Sequence, residues 1–232
     1  MHDRIAAQAP AIERKIQAMD AEVARALHED DDQSPMSRLM AYRATLWAQH
    51  GWFPSSWETP LSLISQTASL LGTPDHDVAE AAISDHFERY RVKLIDTVLK
   101  NHPEREAIVR DALAAHNEGR YALSIPVLLI QADGIGADYF GMDSIYSINK
   151  KNFERIKTKF DEQSDAFRVK YLSYLIGCLT PLNASRSRRD RYGAPFNRHT
   201  VIHGESTDYP SAINSLKSIS WLNFVGEIVS PL

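Results

Sequence analysis

Apolar residues recur at helical intervals along almost the whole chain. The first segment shows the pattern most clearly, with apolar residues three, four or seven positions apart at Ile5, Ile12, Ile16, Met19, Val23 and Leu27. This spacing lines one face of an α-helix, whereas a half-buried strand would alternate apolar and polar residues. No convincing alternation occurs elsewhere in the sequence. The chain is therefore predicted to adopt an all-α fold, a bundle of several helices.

Glycine and proline residues divide this pattern into separate helices. They interrupt it at 51–54, 72–74 and 101–103, because neither residue is favoured inside a helix. The helices expected after the first are Met36–His50, Leu61–Leu71, Asp75–Lys100 with Asp75 as N-cap, Pro103–His116, Tyr121–Phe140, Asn152–Phe160, Ala166–Leu179, a short one over 198–203, and Pro210–Val229. Tyr121–Phe140 lacks a polar face, which predicts burial, and Pro126 within it predicts a kink or a restart.

The break at 101–103 is the predicted boundary between two regions. Residues 1–103 would form an N-terminal helical region, acting as a sensor, a partner surface or an extension of a dimer, and residues 104–232 a second helical bundle. The chain has 232 residues, of which 44% are hydrophobic, enough for one substantial core or two modest ones. It has no run of eighteen apolar residues and no apolar leader segment. We therefore expect a cytoplasmic protein without a membrane span.

Positive charge is concentrated near the C-terminus. The chain as a whole has a formal net charge of −4, whereas residues 181–203 carry five Arg and one Asp. A local basic patch on a mildly acidic protein suits a restricted RNA site, because each phosphate contact adds salt-dependent affinity. The loop residues predicted to bind RNA phosphates are Arg186, Arg188, Arg189 and Arg191. A solvated Arg-rich loop without a ligand is the alternative.

The stretch from Asn197 to Gly204 follows this loop and combines a guanidinium with two imidazoles, in the sequence Asn-Arg-His-Thr-Val-Ile-His-Gly. Metal-free RNA cleavage needs a base for the 2′-hydroxyl, an acid for the leaving 5′-oxygen and a cation for the phosphorane. Imidazoles ordinarily titrate near pH 6.5 and can fill the first two roles. Arg198 stays charged and would hold the phosphate. His203 is the predicted acid or base, and Asn197 and His199 would orient it or the phosphate.

The pattern Arg198-His199-x-x-x-His203 resembles the active-site motif of HEPN-domain proteins, compact all-helical ribonucleases common in prokaryotic toxin and anti-phage systems. Asn197, Gly204 and the following Asp208-Tyr209 are similar to one bacterial branch of that family. Residues 121–135 also resemble the core helix of that branch, in which an acidic residue commonly stands at the position of Asp133. The resemblance covers about residues 104–232. It implies a metal-independent endoribonuclease that leaves 2′,3′-cyclic phosphate ends, with an antitoxin or defence-system protein as a further partner.

Helical geometry suggests that one copy of the chain offers an incomplete site. Arg198 and His203 stand five positions apart, which separates them by about 140° around a helix axis. A two-fold axis would bring the same short helix of a second copy into the cleft, and the HEPN resemblance implies such a homodimer. Asp133 would pair with Arg198 if its helix packs beneath the motif.

Other interpretations of these residues stay open. His199 and His203 have the spacing of a zinc pair, but no third ligand accompanies them, so we expect neither a metal nor another cofactor. An Arg is followed by a His at similar spacing at Arg43–His50 and Arg110–His116, and spacing alone therefore does not define a site. If the motif is not a catalytic site, the chain would be a non-catalytic HEPN-like module that binds RNA or nucleotide or serves in assembly. A purely structural helical protein is a third interpretation. The other histidines are expected at the surface.

Overall fold

The structure is a computed structural model that describes residues 43–44, 46–71, 73–146, 152, 155–156, 158–159, 181–183 and 196–229. These residues form α-helices, 3₁₀ turns and loops, without a strand. The α-helices are α1 (Leu61–Leu71), α2 (His76–Asn101), α3 (Glu106–Asn117), α4 (Tyr121–Phe140), α5 (Arg198–Ile202) and α6 (Ala212–Ile228). The 3₁₀ turns are Pro103–Arg105 and Pro181–Asn183, and residues 43–44 and 46–49 are also helical. The predicted all-α fold is confirmed.

Several predicted elements lie outside the described residues. They are the first helix over 5–27, the helix Ala166–Leu179, most of Asn152–Phe160, and the basic loop with its four arginines. Of the elements described, α1 and α4 have their predicted bounds, and α2, α3 and α6 match their predicted positions within a few residues. Asp75 stands at the N-cap position of α2 as predicted, but its side chain makes no capping hydrogen bond.

Helix α6 lies at the centre of the bundle. It packs against both α4 and α2, while α1 packs on α2 and α3 packs on α4. All of its residues from Ser218 to Ile228 are buried, so it has no solvent-facing side along that length. Gly226 allows α2 to approach closely, because a Cβ atom there would lie 2.9 Å from Cγ2 of Val98. The missing side chain of Gly226 thus lets α2 and α6 pack closely at this point.

The predicted boundary at residue 103 falls inside one hydrophobic core. Buried apolar residues from Trp47 to Val229, on both sides of that position, belong to a single cluster. The ring of Phe53 lies 4.5 Å from that of Trp221, centroid to centroid. The Ser56 amide donates to the carboxylate of Glu227 at 2.8 Å. Residues 103–105 are therefore a turn between two helices of one core, because α2 and α3 both pack into it.

Helix α4 continues through Pro126, and the predicted restart there is wrong. Proline lacks an amide hydrogen, so the carbonyl of Ala122, four residues earlier, loses its helical donor. The hydroxyl of Tyr209 donates to that carbonyl at 3.2 Å. A side chain from the segment between α5 and α6 thus replaces the missing helical hydrogen bond, which helps the helix to pass the proline without interruption.

Two of the histidines expected at the surface are buried. The ring of His116 contacts Ser215 Oγ at 2.8 Å and Glu88 Oε2 at 3.2 Å, and so joins α3 to α6 and α2. His86 is also buried, and burial lowers its pKa below the ordinary value of 6.5. Both were misjudged because a histidine with polar partners can lie in a core.

In the described part of the chain, no helix has the length and apolar character that a membrane crossing requires.

Candidate active site on a short helix

The side chain of Asn197 fixes the beginning of α5. Its backbone is extended, with φ −139° and ψ 129°, and its Oδ1 accepts hydrogen bonds from the amides of His199 at 2.9 Å and Thr200 at 3.3 Å. This is the arrangement of an N-cap, which satisfies amides that have no partner in the first turn of a helix. Asn197 is only 1% exposed. Because Asn197 is buried, it is better placed to hold the start of the helix than to contact the phosphate, as had been predicted.

Gly204 fixes the other end of the same helix. It adopts a left-handed conformation with φ +69°, which costs glycine little. Its amide donates to the carbonyl of Val201 at 3.2 Å, and the amide of Glu205 donates to that of Thr200 at 2.8 Å. These two bonds define a Schellman motif. The five-residue helix is therefore held at both ends, and His203 is its C-cap residue.

The two imidazoles of the motif lie side by side at the surface. His203 is exposed, and His199 is half-buried. Their ring centroids are 4.3 Å apart with an angle of 59° between the planes. The four-residue spacing on one helical face brings them together, as predicted. The two rings are therefore in contact.

Arg198 points toward the body of the protein and lies on the ring of Tyr146. Its guanidinium carbon is 4.1 Å from the ring centroid, and its Nη2 donates to the backbone carbonyl of Tyr146 at 3.1 Å. The side chain is half-buried, whereas His203 is exposed. As the predicted angular separation of the two residues implies, Arg198 faces inward and His203 outward. Both reach the surface, and neither is enclosed in the hydrophobic interior.

Tyr146 is itself held firmly from below. Its hydroxyl accepts a hydrogen bond from Nε1 of Trp221 at 2.7 Å and donates one to the carbonyl of Leu129 at 3.0 Å. Burial raises the pKa of Tyr146 well above its ordinary value of 10.0, so the hydroxyl keeps its proton and remains a donor. The ring beneath Arg198 is therefore attached to α6, the helix at the centre of the bundle, and to its neighbour α4.

Asp133 supports this arrangement from α4. Its carboxylate accepts from Ser144 Oγ, at 2.9 Å to each oxygen, and from the amide of Ile145 at 2.8 Å. Burial raises its pKa above 3.8, while these hydrogen bonds and the charge of Arg198 act in the opposite direction. The predicted pairing with Arg198 is thus an electrostatic influence, because the hydrogen bonds of Asp133 go to the loop before Tyr146. Asp133 lies inside α4, seven residues before its end.

The loop after α4 approaches that helix closely, which allows Ser144 and Ile145 to bond to Asp133. A Cβ atom on Gly136 would lie 2.5 Å from Cγ2 of Ile145, so the glycine leaves room for that side chain. Ser144 also accepts a hydrogen bond from the Tyr146 amide at 3.1 Å, which closes a tight turn. Sequence reasoning missed both Ser144 and Tyr146. A Ser two positions before an aromatic residue is too common to stand out in a sequence.

The structure brings together Asn197, Arg198, His199 and His203 with Asp133 as the charged neighbour of Arg198. The four arginines of the basic loop lie outside the described residues. Among the residues that are described, no three His, Cys, Asp or Glu side chains are grouped so that they could hold a metal ion. Comparisons with models of protein families, with curated proteins and with solved structures found no match.

Proposed function

We propose that the protein is a metal-independent endoribonuclease of the HEPN type. The observation that carries the proposal is the short helix α5, which is held at both ends and carries an exposed imidazole, a neighbouring imidazole and an oriented guanidinium. These are the groups that phosphodiester transesterification needs. The resemblance of residues 197–204 to the HEPN motif agrees with this chemistry.

The reaction would proceed by attack of the ribose 2′-oxygen on the neighbouring phosphorus. One neutral imidazole takes the proton of the 2′-hydroxyl, and an imidazolium gives a proton to the 5′-oxygen as the P–O5′ bond breaks. The products are a 2′,3′-cyclic phosphate and a 5′-hydroxyl. Arg198 stabilises the extra negative charge of the phosphorane, because its guanidinium stays positively charged at neutral pH. His203 and His199 are the candidates for acid and base.

Two copies of the chain would form the complete site. The guanidinium and the exposed imidazole of one copy face different directions, so a second α5 related by a two-fold axis would supply the opposite group. The resemblance also suggests a cytoplasmic toxin or phage-defence effector that is controlled by an antitoxin or another defence-system protein. In this proposal, the arginines at 186, 188, 189 and 191 bind the flanking RNA phosphates.

The test is cleavage of a structured RNA pool by the full chain in the presence of EDTA. Wild type should cleave, and His203→Ala should lose at least about 100-fold in rate, the contribution expected of an acid or base. His76→Ala is the matched control, because it also removes a surface imidazole, at the start of α2. Products should carry cyclic phosphate ends, and the same sequence as DNA should remain intact.

Binding of RNA without cleavage, equal in wild type and His203→Ala, would instead support the non-catalytic module. Absence of RNA binding at low salt would favour the structural helical protein, since phosphate contacts are strongest there. Cleavage that EDTA abolishes would contradict the metal-independent mechanism.

A further inference from the structure

We propose that Tyr146 is the residue that positions Arg198 for contact with the scissile phosphate. This inference rests on the proposed function, but the contact on which it depends can be measured separately. Neither the motif nor the basic loop contains Tyr146, which stands 52 residues before Arg198 in the chain.

Tyr146 contacts the guanidinium in two independent ways. The ring lies under the guanidinium, with 4.1 Å between the guanidinium carbon and the ring centroid, and this contact sets the plane of the guanidinium. The carbonyl of the same residue accepts from Nη2 at 3.1 Å, which sets the rotation of the guanidinium within that plane. Tyr146 therefore constrains both the tilt and the direction of the guanidinium.

Orientation matters for this reaction because the phosphorane carries its charge on separate equatorial oxygens. A guanidinium stabilises two of them only when its plane and its N–H groups are aligned with them. A freely rotating Arg would supply the same charge but would lose the benefit of a preorganised donor. The ring of Tyr146 provides this orientation before the substrate binds.

The anchoring of Tyr146 distinguishes it from an incidental neighbour. Its hydroxyl is bonded to Trp221 and to the carbonyl of Leu129, and its amide is bonded to Ser144, which Asp133 holds in turn. Hydrogen bonds thus run from the central helices to the ring below Arg198. The ring is also buried and stacks on the indole of Trp221, with 6.3 Å between the ring centroids, so its position does not depend on the hydroxyl alone.

Two substitutions separate the ring from the hydroxyl. Tyr146→Phe and Tyr146→Leu both remove the hydroxyl and leave the indole of Trp221 without its acceptor, so they share that loss of stability. Only Tyr146→Leu removes the ring face. In RNA cleavage we expect kcat to fall about 5- to 30-fold further in Tyr146→Leu than in Tyr146→Phe, the factor that corresponds to one cation–π contact. KM should change less than kcat, and both variants are compared at a temperature at which they remain folded.

A second measurement does not depend on activity. The ring current of Tyr146 should shift the side-chain N–H resonance of Arg198 upfield in the NMR spectrum, with the assignment taken from its disappearance in Arg198→Lys. Tyr146→Leu should abolish the shift, and Tyr146→Phe should retain it. A wild-type resonance at the ordinary position would overturn the stacking and with it the proposal.

The remaining outcomes separate this inference from the proposed function. Cleavage by wild type with equal kcat in the Phe and Leu variants would overturn the positioning role and leave the ribonuclease assignment intact. A ring-current shift in a protein that cleaves no RNA would overturn the proposed function and the catalytic meaning of Tyr146, while the contact itself would stand.

Discussion

Gly204 and Gly119 occupy equivalent places after two different helices, and their replacement by alanine separates backbone strain from function. Both have a left-handed backbone, with φ of +69° and +73°. In both, the amides of the glycine and of the following residue bond back to the last turn of the preceding helix. A Cβ atom would meet no heavy atom within 4 Å at either position. The two alanine variants therefore carry similar strain and no steric clash.

The expected loss of stability follows from this geometry. An L-residue other than glycine pays about 1–2 kcal/mol to adopt the left-handed helical conformation. We therefore expect each variant to lose about 1 kcal/mol in free energy of unfolding, measured by urea denaturation with an unchanged slope. For a chain of 232 residues, such a loss lowers Tm by about 2–4 °C. A loss above about 3 kcal/mol in either variant would show that the side chain meets an obstacle.

The functional consequence should differ between the two. Gly204 directly follows His203, so strain there displaces the C-cap imidazole, whereas Gly119 follows α3, a helix that does not carry the motif. RNA cleavage should fall about 10-fold or more in Gly204→Ala, because small displacements of a catalytic group are costly, and should be unchanged in Gly119→Ala. Equal losses of activity in both variants would refute the reasoning, since stability alone would then explain them.

Three further perturbations test the packing of the helical core. Glu80→Gln should lower the free energy of unfolding, measured by urea denaturation, by about 3 kcal/mol. The Lys217 ammonium lies 3.2 Å from the Glu80 carboxylate and would be buried without its counter-charge. Adding Lys217→Met to this variant should recover most of the loss. Burial lowers the pKa of His86 below 6.5, so at a pH just below 6.5 the unfolded chain binds a proton at His86 that the folded chain does not. The free energy of unfolding should therefore decline as pH falls below 6.5, and less steeply in His86→Gln. Gly226→Ala should destabilise the protein by about 1–3 kcal/mol, because its Cβ atom would lie 2.9 Å from Val98 Cγ2, and Val98→Ala should relieve part of that strain. A double variant that is no more stable than its single variant would contradict the Glu80–Lys217 or the Gly226–Val98 contact. A pH slope of His86→Gln equal to that of wild type would contradict the assignment for His86.

The helices of the described region could be predicted because their signals are local. Hydrophobic periodicity and breaks at glycine and proline located α1, α2, α3, α4 and α6 within a few residues. The boundary at residue 103 had the same local signals but depended on contacts that no local pattern encodes. Phe53 packs on Trp221 across 168 positions of sequence, and only the folded chain reveals that one core includes both.

Pro126 illustrates a second limit of local reasoning. Its ring and missing amide predict a kink or a restart of the helix, and propensity alone does not distinguish either from a continuous helix. The donor that replaces the lost hydrogen bond is Tyr209, which lies 87 residues from the carbonyl it binds. The sequence contains both halves of this compensation, but their meeting depends on how the segment after α5 crosses α4.

The candidate site was predictable in its composition but not in its orientation. The residues at both ends of α5 were singled out because they flank the motif, and the structure gives them a physical task as caps. Such caps matter because an isolated helix of this length is unstable in water. The direction of Arg198 depends instead on Tyr146 and on the loop that Asp133 holds, which come from a distant part of the chain.

Spacing alone could not distinguish the motif from the pair Arg110–His116, but the environments of the side chains can. Arg110 lies 2.6 Å from Asp96, and the ring of His116 is buried against Ser215 at 2.8 Å. An imidazole enclosed between helices cannot reach an RNA backbone, however suitable its distance from an arginine. His203 likewise follows an arginine, Arg198, but its ring is exposed at the end of a fixed helix. Exposure of the imidazole, together with a fixed guanidinium, is therefore the property that makes this pair, and not Arg110–His116, the candidate for RNA cleavage.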